Sequence, residues 1–255
     1  MALDDVFSKS LLHFDGADAS TTFTDESGKT WTASGNAQID TAQSVFGGAS
    51  GKFDGVGDWI ETPDHDDFYF DGAFTIDCRI RPYAVPTVLN ETRQIWGQYV
   101  DSNNYSRIYL RHNGTIIQLV ALWQVSGAVA MSIYRSTTIV ADTWYHVAIV
   151  FDGTNIYNFV DGVRSIAGTV NSAPANLSSA VYIGQNGNNL SPFDGWIDEF
   201  RVSKGIARWT SNFIVPNSAY PLSPAISKVG GVNFYGTKKF MGVDHDSIKK
   251  ISGVA

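Results

Sequence analysis

The chain has 255 residues, 44% of them apolar and 13% aromatic, with only 17% charged, a composition that supplies a packed core and excludes extensive disorder. The formal net charge of −7, with no basic cluster in the body of the chain, excludes a groove that tracks phosphates, so no nucleic-acid partner is expected. A single cysteine, Cys78, excludes an internal disulfide framework and a thiolate zinc site.

The opening MALDDVFSKSLLHFDG has acids where a signal peptide needs a positive region, and no run approaches the 18 apolar residues of a membrane span. Neither a visible export signal nor membrane association is expected. The first strand candidate is Leu11–Phe14. In FTIDCRIRP, Phe74, Ile76, Cys78 and Ile80 point one way and Thr75, Asp77, Arg79 and Arg81 the other, the period-two pattern of a half-buried strand. Cys78 reads there as a small buried hydrophobe. Ser106–Arg111 and Ile116–Trp123 flank Asn113-Gly114, a pair that accepts the positive φ of a tight hairpin turn. WYHVAIVF (144–151) is apolar on both faces and reads as a central strand between layers, with His146 a core or inter-sheet histidine. Ile156–Val160, Ala180–Gly184 and Trp196–Val202 complete the candidates. Asp-Gly pairs at 152–153 and 161–162 end strands, and Pro82, Pro86, Pro192 and Pro216 lie at or near strand ends. No long stretch shows a helical period. The fold class is therefore all-β, a two-sheet antiparallel jelly-roll sandwich.

The last residues behave differently. ISKVGGV (226–232), TKKFMGV (237–243) and IKKISGV (248–254) recur at a spacing of 11, aligning Lys228, Lys239 and Lys250. Residues 1–224 hold 13 basic and 23 acidic side chains, whereas 225–255 hold five lysines against Asp244 and Asp246. A glycine in every unit and the β-branched residues favour short strands and turns. Three such units bury little apolar surface alone, so this tail is expected to be ordered by docking. The chain divides into a leading segment 1–9, a sandwich 10–222 and a tail of three 11-residue repeats, 223–255, for attachment or oligomerisation.

WYHVAIVFDGTNIYNFVDG, VYIG and FDGWIDEFRVSKGIARW, in that order, resemble the laminin G-like branch of concanavalin A-like jelly rolls. LLHFDGADASTTFTDESGKTW and FGGASGKFDGVGDWIET look like its opening strands, so the resemblance covers roughly residues 10–222. Ala207-Arg208-Trp209, the exit from Phe213 to Pro216 and the Lys-Gly-Val repeats are similar to bacteriophage structural proteins. This implies a virion component: a tail fibre, a host-binding tail protein or a head decoration protein, assembled as a homo-oligomer that contacts other virion proteins through its tail.

Glucanases of this fold set their carboxylates as Glu-x-Asp-x-Glu on one strand face. The four Glu here, at 26, 61, 91 and 199, share no such segment, and no other catalytic motif occurs, so a non-catalytic role is expected. A glycan-cleaving enzyme would need carboxylates brought together from separate strands. Asp64-His65-Asp66-Asp67 reads as a solvated loop. In WIDEFRVS, Asp198 alternates with Trp196, Phe200 and Val202, which puts a carboxylate on the apolar face, where it has to be hydrogen-bonded, paired or metal-bound. The resemblance implies a structural calcium ion here, with Asp15 and carbonyls of the turns near Gly55 and Gly57 as further oxygen ligands; a backbone-bonded or salt-bridged aspartate is the other reading. For a host-surface glycan, Trp96, Tyr99, Arg107, Tyr109, Arg111 and Trp123 offer flat rings and hydrogen-bonding groups. Tyr109 is placed on the face opposite the two arginines, and the tryptophans serve equally well as core.

Overall fold

The computed structural model describes residues 6–188 and 191–221 and, beyond them, two short strand pairs. In chain order the strands are β1 (Ser8–Leu12), β2 (Phe23–Thr24), β3 (Thr30–Ser34), β4 (Gln38–Asp40), β5 (Ser50–Asp54), β6 (Trp59–Thr62), β7 (Phe74–Pro82), β8 (Thr92–Asp101) and β9 (Asn104–His112). They continue with β10 (Ile117–Val125), β11 (Ala128–Thr137), β12 (Tyr145–Phe151), β13 (Ile156–Val160), β14 (Val163–Arg164), β15 (Thr169–Val170), β16 (Val181–Ile183) and β17 (Asp194–Lys204). One sheet runs β14-β13-β12-β7-β17-β5-β4, with β1 also paired to β17, and the other runs β15-β11-β10-β9-β8-β16-β6-β3-β2. Every pairing is antiparallel. The two sheets stack as the expected sandwich. The 3-10 turn Asp66–Phe68 is the helix element among the described residues.

Sequence alternation becomes the core directly. Phe74, Ile76, Cys78 and Ile80 of β7 and Val147, Ile149 and Phe151 of β12 meet Ile108, Leu110, Leu119 and Ala121 of the facing sheet. Phe74 stacks on Phe70 at 4.4 Å between ring centroids and lies 5.3 Å from Trp123, joining the layers through aromatic contact. Burial pushes the Cys78 thiol well above its ordinary value, which keeps it an inert hydrophobe. The long strands β8 and β11, with the short β4, β14 and β15, are additional to the strands read from sequence. In β8 a bulge between Gln94 and Trp96 turns both Ile95 and Trp96 into the core and spoils the alternation that would have marked it.

The outer face of the first sheet is also covered. His146, Ala148 and Val150 share parity on β12, and Trp209 and Phe213, stacked at 3.9 Å and 7°, lie across them as part of a strap, residues 205–221. His146 is thus buried beneath the strap, outside the inter-sheet core. Under the strap, Arg201 grips Asp77 through two hydrogen bonds of 3.1 Å. The Tyr220 hydroxyl donates to the same carboxylate and packs its ring 3.7 Å from the guanidinium. Burial pushes the Asp77 carboxyl up, but the charge of Arg201 and the contact with His146 outweigh it and hold the group far below the ordinary carboxylate range. A buried charge so paired is costly to break, about 3–5 kcal/mol when one partner is lost.

Beyond the sandwich, β18 (Ser227–Val229) pairs with β19 (Val232–Phe234), and β20 (Lys239–Phe240) with β21 (Val243–Asp244). The closing pairs, Val229 with Val232 and Phe240 with Val243, occupy equivalent repeat positions 11 residues apart. The third repeat lies outside the described residues.

Candidate functional site

A groove of about 390 Å³ opens where β7 ends beside β5 and β17, lined by Lys52, Phe53, Asp54, Tyr83, Asp194, Gly195 and Trp196. Close backbone approach builds it. Gly195 adopts φ +143°, and a side chain there would strike the Arg81 carbonyl, so only glycine lets the two strands come this near. The Tyr83 amide then donates to the Asp194 carbonyl at 2.9 Å. That bond holds the Tyr83 ring edge-on to Trp196, with centroids 6.2 Å apart, while leaving it 60% exposed. Trp196 is fixed from below: its indole N–H donates to Asp40 at 3.1 Å, and Arg81 and Lys52 sit 4.9 and 5.9 Å from the ring centroid.

Asp54 and Asp194 face each other across the β5–β17 ladder. Asp54 accepts from the Val56 amide at 2.8 Å and the Asn36 side chain at 3.3 Å. Burial acts to raise its carboxyl, yet these bonds bring it below its ordinary value. Asp194 has less support, and burial raises it. Beneath them, buried Asp58 ties down the turn by accepting from the Asp54 amide at 2.8 Å and the Asn36 amide at 2.5 Å.

The residues anticipated for sugar binding divide between two faces of the other sheet. Trp96 is 0% and Trp123 3% exposed, both inside the sandwich core; pairing with inward-facing Ile108 and packing on Phe74 leave neither ring a free surface. Tyr99, Arg107, Tyr109 and Arg111 are together on the outer face. The expectation that Tyr109 points away from the arginines is corrected, because positions 105, 107, 109 and 111 share parity on β9. The Arg107 guanidinium lies 4.5 Å from the Tyr109 ring centroid and 5.2 Å from that of Tyr105, Arg111 lies 5.0 Å from that of Tyr134, and Tyr99 stacks on Tyr105 at 6.0 Å. Tyr83 and Trp196 were not anticipated as a site. The local signal was Tyr-after-Pro at 82–83 and Gly195 ahead of Trp196, two features that become informative only once the strands pair.

Asp198 also differs from expectation. Glu199 takes φ +50° within a bulge between Asp198 and Arg201, which resets the alternation, so Ile197, Phe200 and Val202 enter the core while Asp198 stands outside with its partner Arg79. The carboxylate is nevertheless 0% exposed beneath the loop at 45–46. One oxygen accepts from the Val45 and Phe46 amides at 2.7 and 3.2 Å, and the other is buried without a partner. Burial raises its carboxyl to about 7. Asp15 approaches the same loop at Gly47. The turn carrying Gly55 packs instead on Asp194, roughly 13 Å along β17 from Asp198 at about 3.3 Å per residue. Glu199 is engaged by the His13 ring at 2.7 Å and the Tyr220 amide at 2.8 Å. Among the described residues no three His, Cys, Asp or Glu side chains converge as metal ligands. Calcium needs six to eight oxygens, and this donor set does not fit it. Of Asp64–Asp67, His65 caps and Asp66 and Asp67 open the short 3-10 turn noted above, with Lys29 bonded to Asp67 at 2.7 Å.

These features define a lectin-type β-sandwich with an open groove. Residues 53–208 match the Laminin_G_3 family model, described as the concanavalin A-like lectin/glucanases superfamily, and the chain belongs to that family. Similar solved structures include domain 4 of AbnA, an extracellular GH43 arabinanase of Geobacillus stearothermophilus, in complex with arabinotriose, at 18% identity and a TM-score of 0.58, covering 79% of this chain and 94% of that one. The binding domain of Paraclostridial Mosquitocidal Protein 1 is similar at 17% identity, TM-score 0.59, with 78% and 49% covered. That of botulinum neurotoxin serotype D is similar at 16%, TM-score 0.59, with 80% and 50% covered. The chain thus spans about half the length of these toxin domains. At such identities the likeness concerns the fold. No curated protein matches the sequence, and among the described residues no helix is long and apolar enough to cross a membrane.

Proposed function

We propose that this chain is a non-catalytic, lectin-like module of a bacteriophage virion, serving as a tail-fibre, host-binding or head-decoration protein, and that its groove at Tyr83 and Trp196 takes a host-surface glycan. The observation that carries the reading is the exposed Tyr83 ring held edge-on to Trp196 and flanked by Asp54, Asp194 and Lys52. A ring face suits the C–H surface of a sugar, while carboxylates and an ammonium beside it suit hydroxyls. The fold neighbour in complex with arabinotriose supports the ligand class. The phage assignment is supported by Ala207-Arg208-Trp209 and the Lys-Gly-Val repeats, and the tail is proposed to attach the sandwich to other virion proteins as a homo-oligomer. Binding of full-length protein to a glycan array, repeated with Tyr83→Ala, tests the reading. Loss of signal of about tenfold or more with an unchanged melting temperature supports it, and an unchanged signal contradicts it.

A second reading, glycan cleavage, is favoured by one observation: Asp54 and Asp194 oppose each other with their carboxyls shifted in opposite directions, the pattern of an acid and its partner. Prolonged incubation with any bound oligosaccharide decides between them. No new reducing ends are expected. Release that disappears in Asp194→Asn would make the protein a hydrolase.

A further inference from the structure

The outer face of β8, β9 and β10 carries a concentration of hydrogen-bonding capacity with no protein partner among the described residues. The Arg107 side chain makes neither an ion pair nor a hydrogen bond among the described residues, and its Nε is buried. It is nevertheless held in place, its guanidinium lying 4.5 Å from the Tyr109 ring centroid and 5.2 Å from that of Tyr105. Arg111, on the same face, lies 5.0 Å from the Tyr134 ring centroid and donates to Gln118 at 2.7 Å; it too lacks a carboxylate among the described residues. Elsewhere Arg81, Arg93 and Arg201 each meet an acid, and Arg79, Arg135 and Arg164 donate to backbone carbonyls, so a guanidinium held only by aromatic rings, as in Arg107, is unusual here.

A second observation points the same way. Asn186 is 0% exposed, and neither its amide nitrogen nor its oxygen has a partner among the described residues. It occupies the space that a side chain at Gly97 would fill, 2.7 Å from that position. Gly97 pairs with Arg107, so Asn186 lies over the outer face of the sheet that also carries Arg107. Gln94, which pairs with Tyr109 along the same strands, has a buried side-chain oxygen that is likewise unbonded. Buried polar atoms in native proteins are nearly always satisfied, and several unsatisfied ones on the face that carries a pre-positioned cation single this face out as built for more than packing.

We propose that this face is a second binding site, for a carboxylated saccharide of the uronate or sialate class. Carboxylates take the exposed guanidinium nitrogens of Arg107 and Arg111, and sugar rings lie against Tyr99, Tyr105 and the half-exposed Tyr134. Charge-assisted guanidinium–carboxylate bonds are among the stronger hydrogen bonds and are geometrically selective. Ring stacking on tyrosine adds contact without recognising charge. The site lies apart from the Tyr83 groove and does not rest on the reading of it.

The experiment is retention of the full-length chain on immobilised polygalacturonate, on sialylated oligosaccharides and on neutral arabinan, over a range of NaCl. Arg107→Gln, Arg107→Lys, Arg111→Gln and Tyr83→Ala are run in parallel, with thermal unfolding confirming each fold. Wild type is expected to bind at least one acidic ligand, with affinity falling as salt rises. Arg107→Gln should lose tenfold or more of that binding, with Arg107→Lys intermediate because it keeps the charge but not the fork. Arg111→Gln serves as the second variant if Arg107→Gln is unstable, and is expected to weaken the same ligand. Tyr83→Ala should leave acidic binding intact. Absence of acidic binding at low salt overturns the proposal, as does wild-type affinity in folded Arg107→Gln. Loss of acidic binding in Tyr83→Ala alone also overturns it, since the ligand would then belong to the groove.

Discussion

Asp198 shows how a single buried group links geometry to a solution property. Its carboxyl rises from 3.8 to about 7 because burial disfavours the charge more than the Val45 and Phe46 amides favour it. The folded chain therefore binds this proton more tightly than the unfolded chain, so the stabilisation is complete below about pH 4 and is lost as pH rises towards 7. Asp198→Asn keeps an oxygen for both amides and removes the buried charge. At pH 8 the variant is expected to be more stable than wild type, by at most about 4 kcal/mol, with the difference shrinking towards pH 4; urea melts at the two pH values check this. Calcium or EDTA should shift the wild-type melting temperature by no more than about 1 °C, because a bound ion would stabilise the folded state by linkage and the donor set does not fit one. At the groove, Trp196→Ala should weaken glycan binding as Tyr83→Ala does. It should also lower stability by roughly 1–3 kcal/mol, since the indole carries the Asp40 bond and two cation contacts.

Among the elements, the strap is the one whose role is not local. Trp209 and Phe213 cover the outer side of β12, and Tyr220 closes over the Asp77–Arg201 pair. Trp209→Ala is expected to cost about 1–3 kcal/mol, below the range for a fully buried aromatic because the ring is only partly buried, and should increase amide exchange along β12 while leaving the opposite sheet protected. Uniform exchange through both sheets would show that the strap is not a separate layer. The strap also shows what the sequence could convey. WYHVAIVF, apolar on both faces, required cover on both sides, yet nothing local named Trp209 as the cover. The alternation of β7 was fully legible, because no bulge interrupts Phe74 to Ile80. β17 was misread from Trp196 to Asp198, because Glu199 in a left-handed conformation adds a residue to the strand, so the face read correctly at Phe200 and Val202 is the opposite one before the bulge. Trp96 fell to a similar bulge in β8. Tyr83 could not be read as a site at all, since its neighbours Asp194 and Trp196 lie more than a hundred residues away and meet it only through strand pairing.

At the scale of the molecule, a sandwich with two different outer faces suits a module that is held by one end and presents the rest. One sheet is covered over β12 by its strap and over Asp198 by the loop at 45–46, with the Tyr83 groove open at its end, while the other carries tyrosines and arginines on its outer face. The repeats at 226–254 are chemically distinct from this body, and their two described hairpins recur in matching register. Under the proposed virion role, a chain ending at residue 222 is expected to keep the sandwich's cooperative unfolding and any glycan binding of the full chain, and to lose self-association and attachment to virions that lack the protein. Light scattering and sedimentation of the two forms measure this. The decisive measurement for a lectin-like role is calorimetric titration of an array-selected glycan into wild type and Tyr83→Ala. Saturable binding to the wild type that falls at least tenfold in an equally stable Tyr83→Ala is the expected result; binding that survives the substitution, or no glycan binding by the wild type at all, would contradict it.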